Sequence, residues 1–148
     1  MSSKNPLPEA LWNRHANPWS GWSRLLAGPA ILYAVYRRDP RLVALAVVWT
    51  AVNPVLFPER EVDADDWMTR GVRAEQAWLD GEFDASDLVW LNYASAPVWC
   101  YALYAAYRGR ARSAGLFGVL GIATKLLFVD RLARRHAETT AATPDTRT

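Results

Sequence analysis

Cysteine is almost absent. Cys100 is the only one in 148 residues, which excludes an internal disulfide and a thiolate metal cluster. Histidine occurs only at His15 and His136, and no H-x-x-x-H or C-x-x-C spacing exists. Zinc needs three or four well-spaced ligands, so grouping the two histidines with Asp130 is a weak metal candidate, and neither a metal nor a cofactor is expected. Charge of one sign is scarce as well: 17 basic against 15 acidic residues leave a net charge of +2, too small to suggest nucleic acid as a partner. There is no G-x-S-x-G elbow and no P-loop, and "WSGWS" at 19–23 is not a nucleophile motif. The opening "MSSKNPLPEA" is polar and lacks the apolar centre of a cleaved signal peptide.

What the chain does have is apolar surface and tryptophan. Apolar residues make up 51% of it, yet the mean hydropathy is only -0.10. The average conceals a division into uncharged blocks and charged connectors. The blocks are "LLAGPAILYAVY" (25–36), "LVALAVVWTAVNPVLFP" (42–58), "LVWLNYASAPVWCYALYAAY" (88–107) and "SAGLFGVLGIATKLLFV" (113–129), the last interrupted only by Lys125. They lack period-two alternation and are long for strands, so each predicts a helix. Eight tryptophans suit a membrane boundary, where an apolar ring with a polar N–H is at home. The expected fold class is therefore all-α: a membrane protein with four transmembrane helices arranged as two antiparallel hairpins. Block one reaches spanning length only if its helix begins near Trp19 with Arg24 snorkelling outward. Pro29 and Pro97 should kink their helices. Gly115, Gly118 and Gly121 form a small-residue stripe suited to close helix packing. A soluble four-helix bundle is the alternative, kept open by three short blocks. It is opposed by block three, which has no polar face.

"RRDPR" and "RGRAR" are tight turns, whereas the connector 59–87 holds ten acidic residues and three arginines. Within that connector Trp67, Gly71, Ala74 and Trp78 recur at helical spacing, predicting an amphipathic helix on the membrane surface. Residues 1–136 read as a single domain and 137–148, rich in Ala and Thr, as a disordered tail. With four crossings, both termini and the connector share one side. The six arginines of the turns favour the cytoplasm for the other side. Arg131, Arg134 and Arg135 argue the reverse.

Whatever the orientation, polar residues converge on the side opposite the turns. Arg14, His15, Asn17 and Ser20 come from the start of the first helix and Asn53 from the end of the second. Glu75 and Trp78 come from the connector, Asn92 from the start of the third helix, and Lys125, Asp130 and Arg131 from the end of the fourth. The candidate site is the cluster of Arg14, His15, Asn17, Asn53, Glu75, Trp78, Lys125, Asp130 and Arg131. His15 could act as a general base, although a histidine in a hydrogen-bond network fits its setting better. Asn17-Pro18 and Asn53-Pro54 read as helix boundaries, or as broken-helix ligand sites of the transporter kind. Lys125 either snorkels to the helix end or pairs with Asp130, Glu75 or Asp66.

The landmarks "RHANPWSGWSR", "NPVLFP", Trp67 followed by "RAEQAWL", and "KLLFVDR" come in this order. Together they resemble a family of small prokaryotic integral membrane proteins of unknown function, over roughly 11–135. The resemblance covers Arg14, His15, Asn17, Pro18 and Ser20, then Asn53, Pro54, Phe57 and Pro58. It continues through Glu75, Trp78 and Leu79 to Lys125, Phe128, Asp130 and Arg131. Ala74 and Leu127 depart from its pattern, which has Gly and Trp there. It implies a membrane setting and no activity. The expected function is thus non-catalytic: an integral protein of the cell membrane binding a lipid headgroup or a partner protein through the polar cluster, with homo-oligomers left open. The alternatives are a membrane enzyme acting on a lipid-like substrate with His15 as base, and a small oligomeric transporter.

Overall fold

The computed structural model describes residues 13–58 and 65–142, and over these it is all-helical, with no strand. Six helices lie wholly within these residues: α1 (Pro18–Leu25), α2 (Ala27–Arg37), α3 (Pro40–Leu56), α4 (Trp67–Asp80), α5 (Val89–Tyr107) and α6 (Ala111–Ala142). The acidic stretch 59–64 and the tail 143–148 lie outside the described residues.

Both tight turns form. Arg38 takes the left-handed conformation at the end of α2 (φ 52°), and Asp39 then caps α3 by accepting from the backbone N–H of Arg41 and Leu42, with Pro40 in the first turn. Gly109 (φ 71°) turns the chain between α5 and α6, a backbone state that glycine enters without a steric cost. The two turns meet: Arg38 Nη2 donates to the Tyr107 carbonyl at 3.1 Å, and its guanidinium lies 5.2 Å from the Tyr107 ring centroid. The hairpins α2–α3 and α5–α6 therefore close at the same end of the bundle.

The longest contact is α5 against α6, with α2 laid across both. Two glycines of the stripe bring these helices close. A Cβ on Gly121 would stand 2.7 Å from Trp99 Nε1, and one on Gly28 of α2 would stand 2.6 Å from the far edge of the same indole. Trp99 thus fills a slot between α2 and α6. Gly118 likewise leaves room for Leu32. Around these contacts Leu32, Ala102, Ala105, Ala106 and Ala114 form one apolar core. A second core joins Ala74 of α4, Leu91 of α5, and Phe128 and Leu132 of α6.

Expectation and structure diverge in four places. First, no helix among the described residues is long and apolar enough to cross a membrane. Block one breaks into helices of 8 and 11 residues. The break follows from Pro29, whose missing N–H and bulky ring oppose the carbonyl four residues back, at Leu25, where α1 ends. Block two yields 17 residues. Block three yields 19, but they include Asn92, Pro97 and the semi-polar rings of Trp90, Tyr93, Trp99, Tyr101, Tyr104 and Tyr107. Second, the amphipathic helix expected around residues 67–78 forms as α4, but its apolar face is buried in the bundle. It docks on α6, where Gly71 receives Val129, and it buries Met68, Thr69, Val72, Ala74 and Ala77 while Arg70 and Arg73 stay exposed. Third, Asn53-Pro54 is not a boundary: α3 continues to Leu56, whereas Asn17-Pro18 is the N-cap and first residue of α1. Fourth, α6 does not stop near His136 but runs on to Ala142, 32 residues in all and about 48 Å long. Thr139 and Thr140 turn their hydroxyls back to the carbonyls of Arg135 and His136 in that last stretch.

Candidate functional site

At the end of the bundle away from the two turns, the chain entering α1 meets the last turns of α3. Asn17 caps α1 by accepting from Trp19 N–H at 3.0 Å, and its amide donates to the Pro58 carbonyl at 3.2 Å, tying the start of α1 to the end of α3. Ser20 and Asn53 are both fully buried. The Ser20 hydroxyl donates to Asn53 Oδ1 at 2.9 Å, and Asn53 Nδ2 donates to Ser23 Oγ at 2.8 Å. This explains why asparagine is retained within an otherwise apolar helix: each polar atom brought out of water has a partner.

Arg24 lies one turn beyond Ser20 on the same face of α1. It points inward, donating to Ser20 Oγ at 3.2 Å, to the His15 carbonyl at 3.3 Å, and to His15 Nδ1. A guanidinium can only donate. His15 Nδ1 must therefore accept, which places the ring proton on Nε2. Burial, and secondly the charge of Arg24, lower the His15 pKa from 6.5 to about 4. The ring is neutral near pH 7 and the Nδ1 lone pair is occupied, so His15 is badly placed to remove a proton from a substrate.

Next to this network, the Lys125 ammonium donates to Glu75 Oε1 at 3.4 Å and to Asn92 Oδ1 at 3.2 Å, and stands 5.0 Å from the Phe128 ring centroid. Glu75 is also within electrostatic reach of Arg24. One carboxylate is thereby set between two cations from different helices. Through it the His15–Arg24–Ser20–Asn53–Ser23 chain adjoins the Lys125–Asn92 pair.

Of the nine sequence candidates, the structure brings His15, Asn53, Glu75 and Lys125 into this network, with Asn17 and Arg14 at its edge. Arg14 Nη1 donates to the Val55 carbonyl at 3.4 Å. Trp78 is a packing residue, edge-on to Phe128 at 5.9 Å between centroids. Asp130 is not a partner of Lys125: it accepts from Trp67 Nε1 at 3.1 Å and from Arg134 Nε at 2.9 Å. Arg131 is exposed on the surface of α6, where its charge acts on Asp130. The helical rotation separates them, since residues five and six positions beyond Lys125 have turned away from its face. His136 lies against Phe83, 5.3 Å between centroids, and no group of three metal-capable side chains occurs among the described residues. The sequence reading missed Arg24, which it sent outward to solvent, and Ser23. The i, i+4 spacing of Ser20 and Arg24 was the available signal. It also missed the two-pronged Arg135–Asp87 pair, at 3.2 and 2.8 Å, which fastens α6 to the segment before α5.

No curated protein and no solved structure matches the chain. A family of unknown function, DUF6653, matches residues 1–148, and the chain belongs to that family.

Proposed function

We propose that the protein is embedded in a lipid bilayer and that its polar network binds a lipid headgroup or a membrane partner without catalysing a reaction. The observation that carries this is the apolar girdle. α3 and α5 are predominantly apolar and gather their few polar residues on no one face, a pattern that belongs in a large protein core or in lipid. In this bundle they are largely uncovered: Leu45 is 64% exposed, Trp90 63%, Tyr93 71%, and Leu116 and Val119 of α6 67% each. Large hydrophobic side chains left uncovered in such number point to a membrane or a partner surface. At about 26 and 29 Å, α3 and α5 fall a little short of a hydrocarbon core of about 30 Å. Local thinning of the bilayer and interfacial tyrosine and tryptophan rings accommodate a shortfall of that size. Arg24, Glu75 and Lys125 fit this setting because charges near lipid are kept only with partners. The occupied Nδ1 of His15 favours binding over general-base chemistry.

The test is alkaline carbonate washing of membranes from cells producing the full chain. The protein is expected in the pellet. Recovery in the soluble fraction without detergent, as a monomer or as an oligomer that covers its own girdle, overturns the reading.

A further inference from the structure

At the turn end of the bundle a cleft of about 360 Å³ opens between α2 and α6. That volume is within the usual range of ligand sites, roughly 300–1,000 Å³. Pro29, Leu32, Tyr33 and Tyr36 form one wall, and Gly115 and Gly118 form the floor on the other side. The lining is apolar apart from the hydroxyls of Tyr33 and Tyr36. Arg37 lies one turn beyond Tyr33 on α2, and Arg112 lies one turn before Gly115 on α6, and both are exposed at the turn end of the helices that form the cleft. Neither has an ion-pair partner among the described residues. The acid at this end, Asp39, is engaged in capping α3.

We infer that this cleft holds an acyl chain of an anionic phospholipid whose phosphate lies between Arg37 and Arg112. This site is separate from the polar network at the opposite end, and it rests on the membrane reading. Two features of the molecule favour a lipid over a second copy of the chain. The cleft is an apolar trough between α2 and α6, and the two turns at its end carry six arginines against one aspartate, a pattern complementary to an anionic amphiphile. A two-fold contact between copies at this end would instead set arginines against arginines. Guanidinium binds phosphate through paired N–H donors, and arginine-rich short turns face the leaflet in which anionic lipids are concentrated.

Gly115 supplies a clean probe. A Cβ built there meets nothing within 4 Å, so Gly115→Leu puts a side chain into the trough without displacing the protein, and leucine suits a helix better than glycine. Native mass spectrometry of the detergent-purified full chain would be run with added dioleoyl-phosphatidylglycerol or dioleoyl-phosphatidylcholine. The wild type is expected to retain one phosphatidylglycerol at least about tenfold more tightly than phosphatidylcholine. Gly115→Leu should weaken its retention of phosphatidylglycerol by a similar factor. The pair Arg37→Gln with Arg112→Gln should bring phosphatidylglycerol down to the phosphatidylcholine level. Wild-type retention in both folded variants overturns the proposal, as does a wild type that does not distinguish the two lipids. A wild-type dimer that Gly115→Leu dissociates overturns it in favour of a second copy. Carbonate washing separates the two failures: a chain that stays in the membrane but shows none of these effects lacks the lipid site alone.

Discussion

The Ser20 hydroxyl and the Asn53 side-chain carbonyl are 2.9 Å apart, and neither residue has any exposed surface. This bond and its continuation to Ser23 and Arg24 lock α1 onto α3 across 33 residues of sequence. It makes the polar network part of the fold as well as a candidate site.

Removing either member strands the other. Ser20→Ala and Asn53→Ala should each cost about 1–3 kcal/mol, the penalty for a buried polar group left without a partner. The double variant should cost less than the sum. Thermal unfolding of the three variants in one detergent is the measurement, and strict additivity would show that the bond carries no energy.

His15 should make stability depend on pH in one direction. Its pKa is lowered in the fold, from 6.5 to about 4, by burial and then by Arg24. Above pH 6.5 the ring is neutral in both folded and unfolded states, and its contribution is intact. Between pH 6.5 and about 4 the unfolded chain takes up a proton that the folded chain does not, so stability is lost as pH falls. His15→Gln retains a polar side chain that does not titrate. The unfolding midpoint of the wild type should drop more steeply over that window than that of the variant. Parallel curves would place His15 in an ordinary solvated environment.

Lys125 should be coupled to Glu75 and not to Asp130. The Lys125–Glu75 pair is half-buried, with side-chain exposures of 40% and 27%. Its coupling in a double-mutant cycle of Lys125→Met and Glu75→Gln should fall between the values for exposed and buried pairs, about 1–2 kcal/mol. The cycle of Lys125→Met with Asp130→Asn should be additive within about 0.5 kcal/mol. Arg134→Ala removes a largely exposed partner of Asp130 and should change stability by about 0–1 kcal/mol. Coupling of Lys125 to Asp130 above that of Glu75 would require α6 to be rotated about its axis.

If the girdle lies in lipid, the two turns should be accessible from one side of the membrane and Asp65 from the other. Single cysteines at Asp39, Arg110 and Asp65, in a Cys100→Ser background, would be labelled by a membrane-impermeant maleimide in intact and opened cells. Labelling of Asp39 and Arg110 positions from opposite sides contradicts the shared turn end that the Arg38–Tyr107 contact defines.

Much of the fold was legible because it is local. Uncharged blocks that are long for strands and lack alternation read as helices. "RRDPR" offers Asp39 as a cap with a proline behind it, and "RGRAR" offers the glycine that a left-handed turn needs, so both hairpins follow from a few adjacent residues. The spacing of Trp67, Gly71, Ala74 and Trp78 marked α4, and Asn17-Pro18 marked the start of α1. Even the convergence of His15, Asn53, Glu75 and Lys125 followed from counting hairpins, because two closed turns leave the other helix ends together. Tertiary structure decided the partners. Asp130, Glu75 and Asp66 were equivalent choices for Lys125 by composition. Helical rotation selects among them, since five residues along α6 a side chain has turned past the face that Glu75 and Asn92 approach. For the direction of Arg24 the only linear signal was its i, i+4 spacing from Ser20, which does not by itself show that Ser20 is buried. Only the folded chain brings its acceptors together, with the ring and carbonyl of His15 set against Ser20, which Asn53 of α3 holds in place.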